Sequence, residues 1–250
     1  MNAAILPPAA PWSEVTRGAV ASPYPLLLLA GIGVSLTMWT RLARRDSRLL
    51  VIYFTALIGA FLGAKAVYLA AEGWLFWDNP HRWLIWATGK SILGALPGGY
   101  LGVEIAKRTL DYPSATGDFF ALVAPVGILF GRVGCLLHGC CLGRECEPAW
   151  WTLRDSLGID RWPAVPVEMA FNVLALSGAL LLRRRGWLPQ QHFHLYLIAY
   201  GVFRFFHEWM RATPRLKVGF TGYHAAALLV AALGVAGFLR RRGGAGRAAC

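Results

Sequence analysis

Between Gly131 and Arg144 the chain reads GRVGCLLHGCCLGR, so two arginines, a histidine and three cysteines fall in one short run. Thiols beside a guanidinium and an imidazolium gain nucleophilic or metal-binding character, because the thiolate is favoured there. Gly134, Gly139 and Gly143 permit tight turns and close backbone approach, and the run predicts that Arg132, His138 and the cysteines share one pocket. Cys146 brings the cysteines to four within 12 residues, a local cluster rather than a disulfide scaffold. Zinc ligands could be drawn from Cys135, His138, Cys140, Cys141 and Cys146. The paired C-x-x-C spacing of a strong zinc signature is missing, however, and neither a metal nor a cofactor is expected. A disulfide between two of the thiols is the alternative on an oxidising face.

A second set lies at helical spacing. Tyr200, Arg204, His207, Glu208 and Arg211 form one polar stripe on an otherwise apolar segment, the pattern of a helix that lines a cavity. An ionisable residue inside an apolar helix costs roughly 2.5 to 3.5 kcal/mol on insertion scales, so Lys65, Arg132, Arg204 and Glu208 should face the bundle interior with partners. Glu208 follows Arg204 by four residues and can pair with it on one face. That pairing would leave Arg132 and Lys65 unmatched. Two guanidinium groups on a cavity suit a phosphate, since the planar fork donates paired hydrogen bonds and keeps its charge in a low dielectric. A phospholipid head group fits better than a neutral substrate; the alternative is that each arginine anchors loop carbonyls.

The elements that must position these residues are membrane helices. The chain has 250 residues, 56% of them hydrophobic and only 15% charged, with a mean hydropathy of +0.47. This composition describes an all-α membrane protein rather than a soluble surface. The net charge of +12 sits in short clusters between apolar runs, which argues for membrane loops and anionic lipid, not nucleic acid.

Seven spans are expected, because each needs about 20 apolar residues: Gly18 to Thr40, Leu49 to Glu72, Ser91 to Ile105, Thr116 to Cys140, Pro163 to Leu182, His192 to Met210 and Val218 to Leu239. Pro97 and Glu104 leave the third open between a span and a re-entrant segment. Arg41, Arg44, Arg45 and Arg48 follow the first span, Lys107 and Arg108 the third, Arg183 to Arg185 the fifth, and Arg240 to Arg242 with Arg247 the seventh. Alternating spans put all four clusters on one side, predicted to be cytoplasmic, with the N-terminus outside and the C-terminus cytoplasmic.

The chain is expected to form a single transmembrane domain, 1–250, with two outer features. Residues 74–90, rich in Trp, form an interfacial arm, and residues 142–162 form the largest outer loop. The first 20 residues lack the pattern of a cleavable signal peptide, and Cys250 carries no lipidation pattern.

The run at Gly131 to Arg144 resembles the signature of the prolipoprotein diacylglyceryl transferase family, G-R-x-G-N-x-x-N-G-E-x-x-G-R. Gly131, Arg132, Gly134, Gly139, Gly143 and Arg144 align without a gap, while Cys135, His138 and Cys140 stand at the Asn, Asn and Glu positions. Further similarity lies in Gly59 to Tyr68, with Lys65 at a family arginine and Tyr68 at a family tyrosine, in Pro166 to Glu168, in Arg204, Glu208 and Arg211, and in Gly219 to Thr221.

The resemblance implies a multi-pass protein of the bacterial inner membrane. It would move a diacylglyceryl group from phosphatidylglycerol, or another anionic phospholipid, to the lipobox cysteine of a prolipoprotein. Arg132 and Arg204 would hold the phosphate, and Lys65, Tyr68, Gly131, Gly134, Gly139, Arg144 and Arg211 would complete the binding site. The family's functional His-Gly-Gly is not matched: the nearest stretches are Pro97-Gly98-Gly99 and Leu93-Gly94-Ala95. His138 or Glu208 would then act as base; otherwise the acceptor differs, or catalysis is lost. Cys140, at the family glutamate position, is a further catalytic candidate as a thiol that could take the lipid. A membrane thiol, redox or metal-binding protein on the same fold is the rival reading, and a small-solute transporter a weaker one.

Overall fold

A computed structural model describes residues 23–44, 46–216 and 219–247, with side chains up to Arg242. The signal-peptide region, Gly18, Arg45, Val218 and Cys250 lie outside the described residues. Seven long helices are described: α1 (Tyr24–Ala43), α2 (Arg48–Ala71), α4 (Ile92–Thr109), α5 (Gly117–His138), α6 (Ala164–Arg184), α7 (His192–His207) and α8 (Gly222–Arg247), with a short α3 (Arg82–Thr88) before α4. Each coincides with an expected apolar run. Four stretches, Arg48–Ala71, Gly117–His138, Ala164–Arg184 and Gly222–Arg242, are long and apolar enough to cross a bilayer.

Their outward faces are apolar: Phe54, Ile58 and Phe61 on α2, Leu174 and Leu181 on α6, and Leu229 and Leu239 on α8 are exposed. In water such a surface would be a liability; against lipid it is the favourable one.

The third segment is a continuous helix, not an irregular one. Pro97 sits inside α4, yet the helix runs from Ile92 to Thr109. It is fastened to α2 by backbone contact. A Cβ on Gly63 would collide with the carbonyl oxygen of Gly94 and sit 2.9 Å from the Cα of Gly98, and one on Gly98 would collide with the carbonyl of Gly59. Glycines four residues apart on both helices let the backbones touch, as in small-residue membrane seams.

Ends of the helices are sorted by their contacts. At one end Trp39 Nε1 donates to the Leu49 carbonyl at 2.6 Å, and Arg48 lies over the Tyr112 ring. There too the Asp118 carboxylate accepts from the backbone N–H groups of Gln190 (2.6 Å) and His192 (3.1 Å), capping the start of α7. Arg241 reaches Gln190 at the same end. At the other end Tyr223 donates to Glu72 at 2.8 Å, Gly222 packs on Ala71, and the Tyr24 ring packs on Gly134. Tyr196, Leu197, Tyr200, Ala227 and Val230 fill the core between α7 and α8.

Candidate active site

The polar groups gather at the end of the bundle that holds Tyr24 and Glu72, where α5, α6 and α7 converge. Arg132, from the last third of α5, is buried, and its Nη2 lies 2.9 Å from Oε1 and 2.8 Å from Oε2 of Glu168 in the first turns of α6. Glu168 is fully buried and also accepts from Tyr200 Oη at 2.7 Å, with Arg204 Nη1 at 3.9 Å. One helical turn along α7, Arg204 Nη2 meets Glu208 Oε2 at 2.9 Å. Glu208 is ringed by donors: Thr213 at 2.5 Å, Thr221 at 3.5 Å and Arg211 Nε at 3.6 Å. Deep in a low-dielectric bundle these charges are tolerable only because they compensate one another.

The Arg204–Glu208 pair is as the helical spacing predicts. Arg132 is nevertheless matched, because α6 delivers Glu168, a residue that sequence reasoning left out of the site. The signal was available: a glutamate two residues past Pro166, inside an apolar helix, is an ionisable group in need of a partner. Nor is Lys65 unmatched. Its ammonium donates to the carbonyl oxygens of Trp86 (2.6 Å), Gly89 (2.9 Å) and Ala87, binding α2 to the segment 74–90. The anchoring of carbonyls considered for the arginines therefore falls to the lysine. Tyr68, buried beside Lys65, packs its ring on Gly89 where any Cβ would collide.

Three guanidinium groups, Arg132, Arg204 and Arg211, face two carboxylates, Glu168 and Glu208. Within this set of five the guanidinium groups outnumber the carboxylates by one, and Glu72 is a third carboxylate in electrostatic range of Arg211. Arg132 Nε, Arg204 Nε and Arg211 Nη1 are buried without a hydrogen-bond partner among the described residues. Buried donors of this kind are normally satisfied, so these three nitrogens are open to a further acceptor. His207 lies against it, with Nδ1 3.3 Å from Arg204 Nη1 and its buried Nε2 unpartnered among the described residues.

The chain after α5 explains the signature glycines. Gly139 (φ +70°) ends the helix in the left-handed conformation, and the Cys140 N–H turns back to the Cys135 carbonyl at 3.1 Å. This reversal lays Cys140 and Cys141 over Cys135, with Cys141 Sγ 3.8 Å from Cys135 Sγ and Arg132 Nη1 3.9 Å from Cys135 Sγ. All four described cysteines are free thiols. Gly143 touches Trp162 so closely that a Cβ would strike its carbonyl, and it forms a β-bridge with Arg211. With Arg144 N–H donating to the Met210 carbonyl at 2.9 Å, this bridge steers Arg211 back toward the cluster. The side chain of Arg144 is itself exposed and acts through its backbone, while a Cβ on Gly131 would meet nothing.

A hairpin of two short strands, β1 (Leu153–Arg154) and β2 (Asp160–Arg161), covers this turn. Beneath it lies a cavity of about 230 Å³ lined by Cys135, His138, Cys140, Cys141, Arg161 and Trp162, among others. The structure brings His138, Cys135, Cys140 and Cys141 to one cavity, with His138 at its exposed rim, but Arg132 lies behind Cys135 rather than on its wall and Cys146 lines a separate pocket. Pro97 lies inside α4 and contributes no base.

Comparison with known proteins agrees with this arrangement. Residues 18–240 match the family model described as prolipoprotein diacylglyceryl transferase. The phosphatidylglycerol–prolipoprotein diacylglyceryl transferase of Pseudoalteromonas atlantica is 30% identical over 188 residues, covering 73% of this chain and 65% of that protein. One from Clostridium perfringens is 30% identical over 171 residues, 65% of this chain and 66% of its own. One from Methylococcus capsulatus is 28% identical over 217 residues, 80% of each chain. The chain spans just under two thirds of the length of the first two relatives. A match over residues 18–240 reaches from α1 into α8 and takes in the arginine cluster, the glycine turn and the α2–α4 seam, and it establishes that this chain belongs to the prolipoprotein diacylglyceryl transferase family.

Proposed function

We propose that the protein transfers a diacylglyceryl group from phosphatidylglycerol, or a related anionic phospholipid, to the lipobox cysteine thiol of a prolipoprotein. The observation that carries this reading is that three buried arginine nitrogens, Arg132 Nε, Arg204 Nε and Arg211 Nη1, lack a partner among the described residues. A phosphate monoanion fits that vacancy in charge and in acceptors. Arg132, Arg204 and Arg211 hold the phosphate and stabilise the charge that builds on the leaving oxygen. The acceptor sulfur forms a bond to the glyceryl carbon as the carbon–oxygen bond breaks, the electron pair leaving on glycerol phosphate.

Glu168 and Glu208 hold the arginines in place. Glu208 is engaged by Arg204, Thr213 and Thr221 with Arg211 close by, so the thiol proton goes to an imidazole, His138 at the cavity rim, with His207 as the second choice. Cys140, standing where the family has glutamate, lines the same cavity. Lys65 and Tyr68 hold the arm 74–90, which exposes Trp74, Trp77 and Trp83 and is read as lying at the membrane interface. Loop 142–162 roofs the site.

The reading places seven spans with the N-terminus outside and the site at the outer leaflet of the bacterial inner membrane. Support comes from Lys107, Arg108, Arg183 to Arg185 and Arg240 to Arg242, which lie at helix ends opposite the arginine cluster, the side expected to be cytoplasmic. Incubation of the purified protein with phosphatidylglycerol and a lipobox peptide should yield the diacylglyceryl thioether and glycerol phosphate by mass spectrometry. Absence of both, beside a working relative, would refute the reading.

A further inference from the structure

Cys135, Cys140 and Cys141 do more than line the cavity. Their three Sγ atoms all lie within 4.8 Å of one another, Cys135 is buried, and the other two are half-buried. With metal–sulfur bonds of about 2.3 Å, the edge of a tetrahedral thiolate site is about 3.8 Å. The Cys135–Cys141 separation is 3.8 Å. A disulfide would need sulfurs at about 2.0 Å, a further closure that the three-way arrangement does not favour. Backbone conformation is committed to the cluster as well. Cys141 sits at φ +60°, a left-handed position that β-carbon residues rarely take. Gly139 supplies the reversal that precedes it.

The surrounding charge is also suited. Three thiolates around a divalent ion leave a net charge of −1, and around a monovalent ion −2. Arg132 stands 3.9 Å from the Cys135 sulfur and places a positive charge beside the thiolates. The cavity beside the sulfurs leaves a fourth coordination position for water. Sequence spacing argued against a metal because no C-x-x-C pairs are present; the turn at Gly139 supplies in space what the spacing lacks.

We propose that Cys135, Cys140 and Cys141 form a three-thiolate centre for a thiophilic d10 cation, Zn²⁺ or Cu⁺. Binding releases the three thiol protons to solvent and forms three metal–sulfur bonds, with no change in oxidation state. The centre shares the cavity of the proposed reaction, and its metal binding needs no turnover to detect.

The test uses the full-length protein in detergent, reduced with a phosphine, incubated separately with Zn²⁺ and with Cu⁺, and desalted. Elemental analysis should find about one retained ion per chain in at least one arm, and the arm that retains it identifies the ion. Iodoacetamide labelling followed by peptide mass spectrometry should show Cys135, Cys140 and Cys141 protected by about tenfold or more in loaded protein, and Cys146 unprotected. This readout requires no variant. Cys135→Ser, Cys140→Ser and Cys141→Ser should each lose the ion, whereas Cys146→Ser keeps it. No retained ion in either arm, or retention unchanged in the triple serine variant, overturns the proposal.

Discussion

Helices α2 and α4 meet through glycines, whereas α5, α6 and α7 meet through charges. In the first seam no polar side chain is needed: Gly59, Gly63, Gly94 and Gly98 bring two backbones into contact, and dispersion across the close surfaces holds them. In the second, Arg132, Glu168, Arg204 and Glu208 are buried and compensate one another over 2.8 to 3.9 Å. The glycine seam is a scaffold with nothing left to bind. The charged seam keeps three arginine nitrogens without a partner among the described residues, and the proposed chemistry rests on it.

The comparison breaks most visibly at the glycines. Gly94→Leu should prevent α2 and α4 from closing and give no monodisperse folded protein in detergent size-exclusion chromatography. Gly33→Ala in α1, whose Cβ would meet nothing, should elute as wild type. A monodisperse Gly94→Leu protein would show that the seam is not structural.

Next in size is Glu168→Gln. It keeps an acceptor for Tyr200 but strips Arg132 of its carboxylate, and loss of one partner from a buried pair costs on the order of 3 to 5 kcal/mol. Thermal unfolding in detergent should show a marked fall in Tm, with partial recovery in Glu168→Gln/Arg132→Met. Equal Tm values for wild type and Glu168→Gln would mean that the buried pair is not compensating charge.

Arg132→Ala and Arg204→Ala probe the missing anion. Removing one preorganised donor to a developing negative charge typically lowers turnover by about 100- to 1,000-fold. Each variant should insert in the membrane and lose that much thioether formation; undiminished turnover in either would remove the phosphate clamp from the proposed mechanism.

The smallest effect is in the hairpin over the site. The hydrogen bond from Arg161, at 2.6 Å, holds the Asp155 carboxyl below the usual carboxylate range. A depressed folded pKa stabilises the hairpin above the unfolded value of about 3.9 and loses that contribution as pH falls through the folded pKa. Proteolysis of loop 142–162 should therefore stay slow at neutral pH and rise on acidification, and Asp155→Asn should show the faster rate already at pH 7. A pH-independent rate in the wild type would discount the pair.

Much of this was legible in the residues. Apolar run length located the seven long helices among the described residues, within about four residues at most ends but six early at the start of α1 and eight short at the end of α8, because helices in lipid must satisfy their own backbone. The Gly131 to Arg144 run announced the site, and the i, i+4 spacing announced the Arg204–Glu208 pair. The glycines of α2 and α4 were equally visible, yet they suggested irregular backbone in the third segment, since glycine favours both loops and close helix contact and a sequence does not say which.

Sequence alone determined the membrane class, the helix positions and the residue types available for chemistry, which follow from local composition and period, and the family through the resemblance of its motifs. Tertiary structure alone decided who neutralises whom. Glu168 lies 36 residues from Arg132, Lys65 finds carbonyls 21 to 24 residues away, and Cys141 returns to Cys135 only because Gly139 turns left-handed. The Arg204–Glu208 pair could be read from i, i+4 spacing, but compensation between helices is a property of packing, and no spacing along one helix encodes it.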